Sequence, residues 1–316
     1  MSDLGAKGEL LGAQTAKQQT EQSSQAEESP EKEENKKVSK KNFSLEQQFY
    51  CDALNDSNVN TIVDGSDIDT IVLVGFVGYG KTTFISTLYY RLINSISYNG
   101  QILYDSDTYA GLERRFAIRT IKTDIDAETK RTIKGEDHIL ALSLMDENSG
   151  VRRKIVVSDR SGEDYKAYTG NAKDMLDDGL LKVADNIVFF VDVQEMMNTT
   201  QSVKYDYGLL LTGLEEQHLI PDNCRLSLVY NKYDLINNGN KSKFEQKATS
   251  VQQLFMEKLS GRNLATYYID STGANDNFIA VDRLTKDLLA SSSHCDRRRY
   301  ENLDWVGKEL RSLKNV

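Results

Sequence analysis

Gly75, Gly80, Lys81 and Thr82 are the first residues whose types and spacing could do chemistry. In the segment IVLVGFVGYGKTTF, an apolar run typical of a buried strand enters the loop and a helical pattern leaves it. The glycines let successive backbone N–H groups turn toward one anion, which the positive end of the helix also faces. Lys81 would reach the outer phosphates of a nucleotide, and the Thr82 hydroxyl would ligate Mg²⁺. We predict a nucleotide-binding loop with contacts from Gly75, Gly78, Tyr79, Gly80, Lys81, Thr82 and Thr83.

A second group of residues follows the apolar run KIVVSD. Asp159 ends that run, and Gly162 comes three residues later. A carboxylate at the tip of a strand beside the phosphate loop can hold Mg²⁺, usually through a water. The Gly162 N–H can contact the terminal phosphate, and because that contact needs the phosphate, the segment can act as a sensor. An Asp-x-x-Gly turn is common after strands, so the weight of this motif comes from its place after the loop.

The segment LSLVYNKYDL carries a third motif that could read a base. Asp234 can accept two hydrogen bonds, from N1–H and the exocyclic amine of guanine, whereas adenine would leave the carboxylate unpaired. Asn231 would brace the neighbouring loops, and the stem of Lys232 can cover the base face. An ordinary polar turn after a strand is the alternative interpretation. The order of the three motifs along the chain favours guanine-nucleotide binding.

The elements that must position these residues alternate between short β-branched runs and longer helical patterns. Strands are predicted at 70–76, 138–146, 154–159, 186–193, 226–231 and 266–270. Runs that are apolar on both faces suit central strands covered by helices, while HILALSLMD, with alternate leucines on one face, suits an edge strand. This pattern predicts an α/β fold, a mostly parallel sheet of about six strands with helices on both faces.

Composition limits which partners, membrane segments and cellular compartments are compatible with this chain. The 316 residues contain 39 Lys and Arg against 48 Asp and Glu, a net charge of 39 − 48 = −9. This acidity argues against direct nucleic-acid binding and against binding to anionic membranes, and no apolar run reaches the roughly 18–20 residues of a membrane helix. There is no secretory signal pattern, and the three cysteines fit neither a disulfide framework nor a zinc cluster. A cytoplasmic location is expected.

Residues 1–42 differ from the rest of the chain, because they are rich in Gln, Glu, Ser and Lys and nearly devoid of large apolar side chains. Such a segment cannot bury enough apolar surface to offset the entropy lost on ordering, so we predict a disordered tail. Residues 43–67 would form an N-terminal extension, and residues 291–316 a helical C-terminal extension.

The motifs GFVGYGKT, DRSG and NKYD, in that order, resemble those of P-loop GTPases of the translation-factor (TRAFAC-like) class, which have a Ras-like G domain. The resemblance covers residues 68–290, with an insert at 98–137. A long insert after the first helix is similar to the bacterial double-GTPase group, which is linked to defence against invading DNA.

The resemblance implies further site residues. A switch threonine should close over Mg²⁺ and the terminal phosphate; Thr132 is the first candidate, followed by Thr129 and Thr123. Ser271 and Thr272, in the loop IDSTGAN, would lie against the guanine oxygen. The residues implied for catalysis are Lys81, Gly162, Glu163 and Thr132. An arginine acting in cis could come from Arg114, Arg115, Arg119, Arg131 or Arg160, although surface ion pairs are the simpler interpretation for each.

The implied reaction is Mg²⁺-dependent hydrolysis of GTP to GDP and phosphate, used as a molecular switch that engages protein partners through its switch segments. Two departures indicate slow intrinsic hydrolysis or a different means of orienting the water: Glu163 stands where small GTPases usually have glutamine, and Val77 where they often have glycine. The alternative is therefore a GTP-gated binding module with little or no turnover. An ATPase using the same loop is a third hypothesis, against which NKYD argues.

Overall fold

The computed structural model describes residues 52–56, 58–59, 67–120, 138–273 and 276–290. Residues 1–42 and 291–316, for which a tail and a C-terminal helical extension are predicted, lie outside the described residues, as does most of the predicted extension at 43–67. The domain boundaries therefore stay predictions.

The described chain forms one seven-stranded sheet in the order β2-β3-β4-β1-β5-β6-β7. The strands are β1 (Asp67–Val74), β2 (Gln101–Asp105), β3 (Ile139–Asp146), β4 (Arg152–Ser158), β5 (Asn186–Asp192), β6 (Arg225–Asn231) and β7 (Leu264–Ile269). β4, β1, β5, β6 and β7 run parallel, while β3 is antiparallel to both β2 and β4. The predicted α/β fold with a mostly parallel sheet is confirmed.

Within the described residues, six α-helices cover this sheet. They are α1 (Lys81–Ile93), α2 (Tyr109–Thr120), α3 (Gly162–Gly170), α4 (Val193–Glu216), α5 (Lys241–Lys258) and α6 (Ile279–Leu289). α1 packs with α2 and α6, whereas α4 packs with α3 and α5. Every residue of β5 is buried, as expected for a strand covered on both faces. No helix within the described residues is long and apolar enough to cross a bilayer.

The sheet differs from the sequence expectation at one edge. β2 adds a seventh strand, and because it pairs with β3, the prediction that HILALSLMD is an edge strand was wrong. β3 lies between two strands, and its residues from Ile139 to Leu144 are all buried. β2 and α2 both come from the insert predicted at 98–137. The insert therefore contributes a strand and a helix to the domain.

Candidate nucleotide-binding site

The phosphate loop runs from the end of β1 to the first residue of α1. Gly78 and Gly80 have φ angles of 81° and 87°, in the left-handed region that favours glycine. A Cβ on Gly80 would stand 2.0 Å from Nδ2 of Asn231, and one on Gly75 would stand 3.0 Å from the Phe190 carbonyl oxygen. Neighbouring strands therefore press on this loop closely enough that two of its glycines have almost no room for a side chain.

Lys81 is a buried cation that lies on the carbonyls of its own loop. Its Nζ donates to the Gly75 carbonyl at 2.6 Å and to the Phe76 carbonyl at 3.4 Å. Burial lowers the Lys81 pKa to about 8, and the charges of Asp159 and Asp164 oppose that shift. An anion would favour the charged form of this lysine, because a nearby opposite charge stabilises it.

Two of the side chains predicted to bind a metal, Thr82 and Asp159, are in contact. The Thr82 hydroxyl donates to Oδ1 of Asp159 at 2.9 Å, so the first turn of α1 meets the end of β4. Asp159 is fully buried, and its Oδ2 accepts from Nε of Arg115 at 2.7 Å. A hydroxyl and one carboxylate are hard oxygen donors of the kind Mg²⁺ takes beside phosphate oxygens. The donor set fits magnesium.

The DRSG segment packs directly against the phosphate loop. A Cβ on Gly162 would stand 2.2 Å from the Val77 nitrogen and 2.4 Å from the Phe76 carbonyl carbon. The Ser161 side chain caps α3 by accepting from the Glu163 N–H. The Glu163 side chain itself is exposed on the first turn of the helix. Gly162 thus lies where its backbone can respond to an occupant of the loop.

Asn231, at the end of β6, connects three segments. Its Nδ2 donates to the Tyr79 carbonyl of the phosphate loop at 2.8 Å, and its Oδ1 accepts from the Ser271 N–H at 2.9 Å. Lys232 has a left-handed φ of 63°, and its Nζ pairs with Asp192. Asp234 is exposed; partial burial, then the charge of Asp270, raise the pKa of its carboxyl.

The loop after β7 completes this end of the site. The Ser271 hydroxyl oxygen is buried and has no hydrogen-bond partner among the described residues. It would lie 3.7 Å from a Cβ on Gly80, next to the phosphate loop. Thr272 instead turns back onto Asp270, with its N–H and hydroxyl donating to Oδ1 at 2.8 and 2.6 Å. Ser271 is thus placed beside the phosphate loop, while the Thr272 hydroxyl is used within its own turn.

The structure limits how Tyr79 and Thr83, two residues of the predicted nucleotide-binding loop, could contact a nucleotide. The Tyr79 side chain is buried among aromatic rings, with Phe76 at 5.6 Å and Tyr207 at 6.5 Å between centroids, so only its backbone lies at the site. Thr83 lies in the first turn of α1, where its carbonyl accepts from the Thr87 hydroxyl at 3.0 Å. Thr132, Thr129 and Thr123 lie outside the described residues.

The arginines that could act in cis on the phosphates differ in the residues they contact. Arg114 pairs with Asp52 on the surface. Arg160, whose side chain is 13% exposed, lies between two acids, with 2.8 Å from Nε to Oδ2 of Asp178 and 3.1 Å from Nη2 to Oδ2 of Asp56. Arg115 alone of these three contacts a predicted site residue. Arg131 and the side chain of Arg119 lie outside the described part of the chain.

Sequence reasoning missed Asp192, the partner of Lys232. This buried aspartate ends β5 and caps α4 by accepting from the Glu195 N–H at 3.0 Å. The available signal was an acid at the end of the fully apolar run NIVFFVDV. Asp192 holds Lys232 by its ammonium, leaving the lysine stem next to the residues predicted to read the base.

One of the comparisons with known proteins shows the family of this chain. The family model Double-GTPase 2 matches residues 69–278, more than half of the chain. No curated protein matches. Among solved structures, the chain is similar to the crystal structure of bacterial selenocysteine-specific elongation factor EF-Sec, at 15% identity and a TM-score of 0.36. That match covers 70% of this chain and only 29% of the elongation factor. On the family match, the chain belongs to the Double-GTPase 2 family of GTP-binding proteins.

Proposed function

We propose that this protein binds GTP with Mg²⁺, hydrolyses it to GDP and phosphate, and changes its switch segment with the state of the nucleotide. One observation carries the proposal: Thr82, directly after the phosphate loop, is hydrogen-bonded to Asp159 at the end of β4, and the loop itself is hydrogen-bonded to Asn231 at the end of β6. Groups suited to binding the charged phosphates and groups suited to binding a purine base therefore lie around the same loop.

Lys81 supplies the charge for the phosphates. It donates to loop carbonyls in the structure described, and phosphate oxygens would replace those acceptors with stronger, charged ones. Phosphoryl transfer depends mainly on positioning and charge neutralisation. A buried ammonium that stays fixed at the loop provides both.

Thr82 and Asp159 are the residues that would hold Mg²⁺. When bound, the metal would neutralise negative charge on the phosphates. The chain's own contribution is to fix the hydroxyl and the carboxylate in contact before any ligand arrives.

Asp234 selects the base in this proposal. Its carboxylate is exposed, at the end of the segment that Asn231 fixes to the loop. Guanine offers two donors to a carboxylate, whereas adenine offers an acceptor and would leave the carboxylate without partners. The buried Ser271 hydroxyl, without a partner among the residues described, has a donor to offer the guanine oxygen.

The segment from Asp159 to Glu163 would be the switch and the surface for protein partners. Gly162 already packs on Val77, so a phosphate that bonds the Gly162 N–H must change or tighten this contact. Order and position of such a segment follow the terminal phosphate in switch proteins.

A second candidate function, a GTP-gated binding module with little turnover, has specific support. Arg160 is held by Asp178 and Asp56, so the arginine inside the switch is engaged away from the phosphates. The exposed side chain of Glu163 makes a poor substitute for the glutamine that orients water. Such a protein would bind GTP as tightly as a hydrolysing GTPase does, and it would release phosphate only with an activating partner.

Steady-state phosphate release from GTP, with Mg²⁺ and with a chelator, tests the proposal. We expect wild-type turnover that the chelator stops, and no measurable turnover in Lys81→Ala. The matched control is Lys204→Ala, which removes an ammonium on α4 that bonds Ser250 on α5 and should leave turnover unchanged. GTP binding without turnover would favour the second candidate. No binding of guanine nucleotides would contradict both.

A further inference from the structure

The two carboxylate oxygens of Asp159 accept hydrogen bonds from two different helices. Oδ1 accepts from the Thr82 hydroxyl of α1 at 2.9 Å, and Oδ2 accepts from Nε of Arg115 of α2 at 2.7 Å. The carboxylate is fully buried, and the Arg115 side chain is only 12% exposed. The oxygen on the metal side and the oxygen on the arginine side are therefore different atoms.

Arg115 is itself held in place. Its Nη1 donates to the Gly111 carbonyl one turn earlier in α2, at 3.0 Å, which holds the guanidinium against its own helix. The Ser86 hydroxyl lies 2.9 Å from both the Thr82 carbonyl and the Arg115 carbonyl, which joins α1 to α2 at this level. Ser86 thus bonds the backbone of both Thr82 and Arg115, the two residues whose side chains contact Asp159.

A buried carboxylate needs a compensating charge, and removing that charge is costly. Arg115 provides it on Oδ2 while Thr82 bonds Oδ1, and bonds to both oxygens restrain rotation of the carboxyl group about its own axis. Groups that hydrogen-bond a metal-binding carboxylate in this way orient it toward the metal. The insert, which supplies α2, thereby reaches the centre of the site.

We propose that Arg115 is a positioning residue for Mg²⁺: it holds Oδ2 of Asp159 so that Oδ1 stays beside Thr82, on the side where the metal binds. This inference rests on the proposed function, because it concerns the same metal site. It assigns the insert helix a role in metal affinity and requires no contact between Arg115 and the nucleotide.

A competing role for the same ion pair makes the opposite prediction. Arg115 could instead compete with Mg²⁺ for the Asp159 carboxylate. In that case, removing Arg115 would free the carboxylate and tighten Mg²⁺ binding. If Arg115 orients Asp159, its removal weakens Mg²⁺ binding. The sign of the change therefore separates the two roles.

The experiment measures the affinity of the full chain for a fluorescent GDP analogue over a series of free Mg²⁺ concentrations and in chelator. For Arg115→Ala we expect the half-saturating Mg²⁺ concentration to rise about 10–100-fold. Affinity in chelator should stay within about threefold of wild type, because Arg115 does not hold the nucleotide. Arg114→Ala, which breaks the adjacent surface pair with Asp52, is the matched control and should behave as wild type.

Arg115→Lys covers the case in which Arg115→Ala does not fold, since it keeps the charge that compensates Asp159 but loses the guanidinium geometry. We expect a smaller rise of the half-saturating Mg²⁺ concentration in this variant. An unchanged or lower value in the folded variants would overturn the proposal, as would an equal loss of affinity with and without Mg²⁺. A wild-type chain whose nucleotide affinity ignores Mg²⁺ would overturn the proposed function and this inference with it.

Discussion

Two glycines of the site are required by residues that come from other parts of the chain. Gly80 meets the amide of Asn231, and Gly162 meets the backbone at Val77. Gly80 also has a left-handed φ, so its own turn already favours glycine, but Gly162 has no such need. At Gly162 the close approach of the phosphate loop is the reason for glycine.

Gly162→Ala tests that close approach. Alanine is the better helix former by about 1 kcal/mol, so this first residue of α3 would gain stability if there were room. Because a Cβ would stand 2.2 Å from the Val77 nitrogen, we expect a loss of roughly 1–3 kcal/mol in the free energy of unfolding, measured by denaturant titration. The control Gly170→Ala, where a Cβ meets nothing within 4 Å, should lose no stability. Equal stability of Gly162→Ala and wild type would show that the loop and switch are not in contact.

Sequence reasoning at this scale succeeded where a residue's neighbours are close in the chain. The spacing of Gly75, Gly80 and Lys81 predicted a loop between a strand and a helix, and the structure has that loop. The contacts of Arg115 with Asp159 and of Lys232 with Asp192 could not be predicted, because the folding of distant segments decides them.

At the scale of elements, the N-terminal segment 52–56 is tied to the switch side of the domain. Leu54 pairs with Ile139 through two backbone hydrogen bonds of 2.7 and 2.8 Å, beside the start of β3. Arg160, inside the DRSG motif, reaches back to Asp56 and also to Asp178, in the turn after α3. This arginine thus joins three segments that are distant in sequence.

Arg160→Ala should therefore be strongly destabilising. It leaves Asp178, which is fully buried, without its compensating charge, and breaking a buried pair costs about 3–5 kcal/mol. Thermal or denaturant unfolding measures the loss. Arg114→Ala breaks an exposed pair and should cost no more than about 1 kcal/mol.

The double variant Arg160→Met with Asp178→Leu isolates the cause. Removing both charges should recover much of the loss, because the fully buried carboxylate of Asp178 is gone and Asp56, whose side chain is 33% exposed, keeps access to solvent. If Arg160→Ala were as stable as Arg114→Ala, the assignment of a structural role to Arg160 would be contradicted. Arg160 would then again be a candidate for contacting the phosphates.

The element that sequence reasoning missed, β2, also has a physical explanation. QILYD is short, and only part of it is buried, so its pattern of apolar residues is weak. Without β2, alternating leucines made β3 resemble an edge strand. Pairing on both sides, which sequence periodicity does not reveal, made it an interior one.

For the whole molecule, the parallel strands explain why separate motifs form one site. The carboxyl ends of parallel strands lie at the same edge of a sheet, and ligands bind there in open α/β folds. β4 and β1 are neighbours, and β6 is two strands from β1 on the other side. The sequence predicted the fold class and the parallel strands, but the strand order came only from the structure.

The most direct test of this account is the affinity of the full chain for GTP, GDP and ATP in Mg²⁺, measured by calorimetry for wild type and Asp234→Asn. We predict that wild type prefers guanine nucleotides by about 10⁴-fold, because ATP would leave the Asp234 carboxylate unpaired. Asp234→Asn should lose most of that preference, while Asp222→Asn, which changes an exposed acid before β6, should keep it. Equal affinity for ATP and GTP in wild type, or an unchanged preference in Asp234→Asn, would contradict the account.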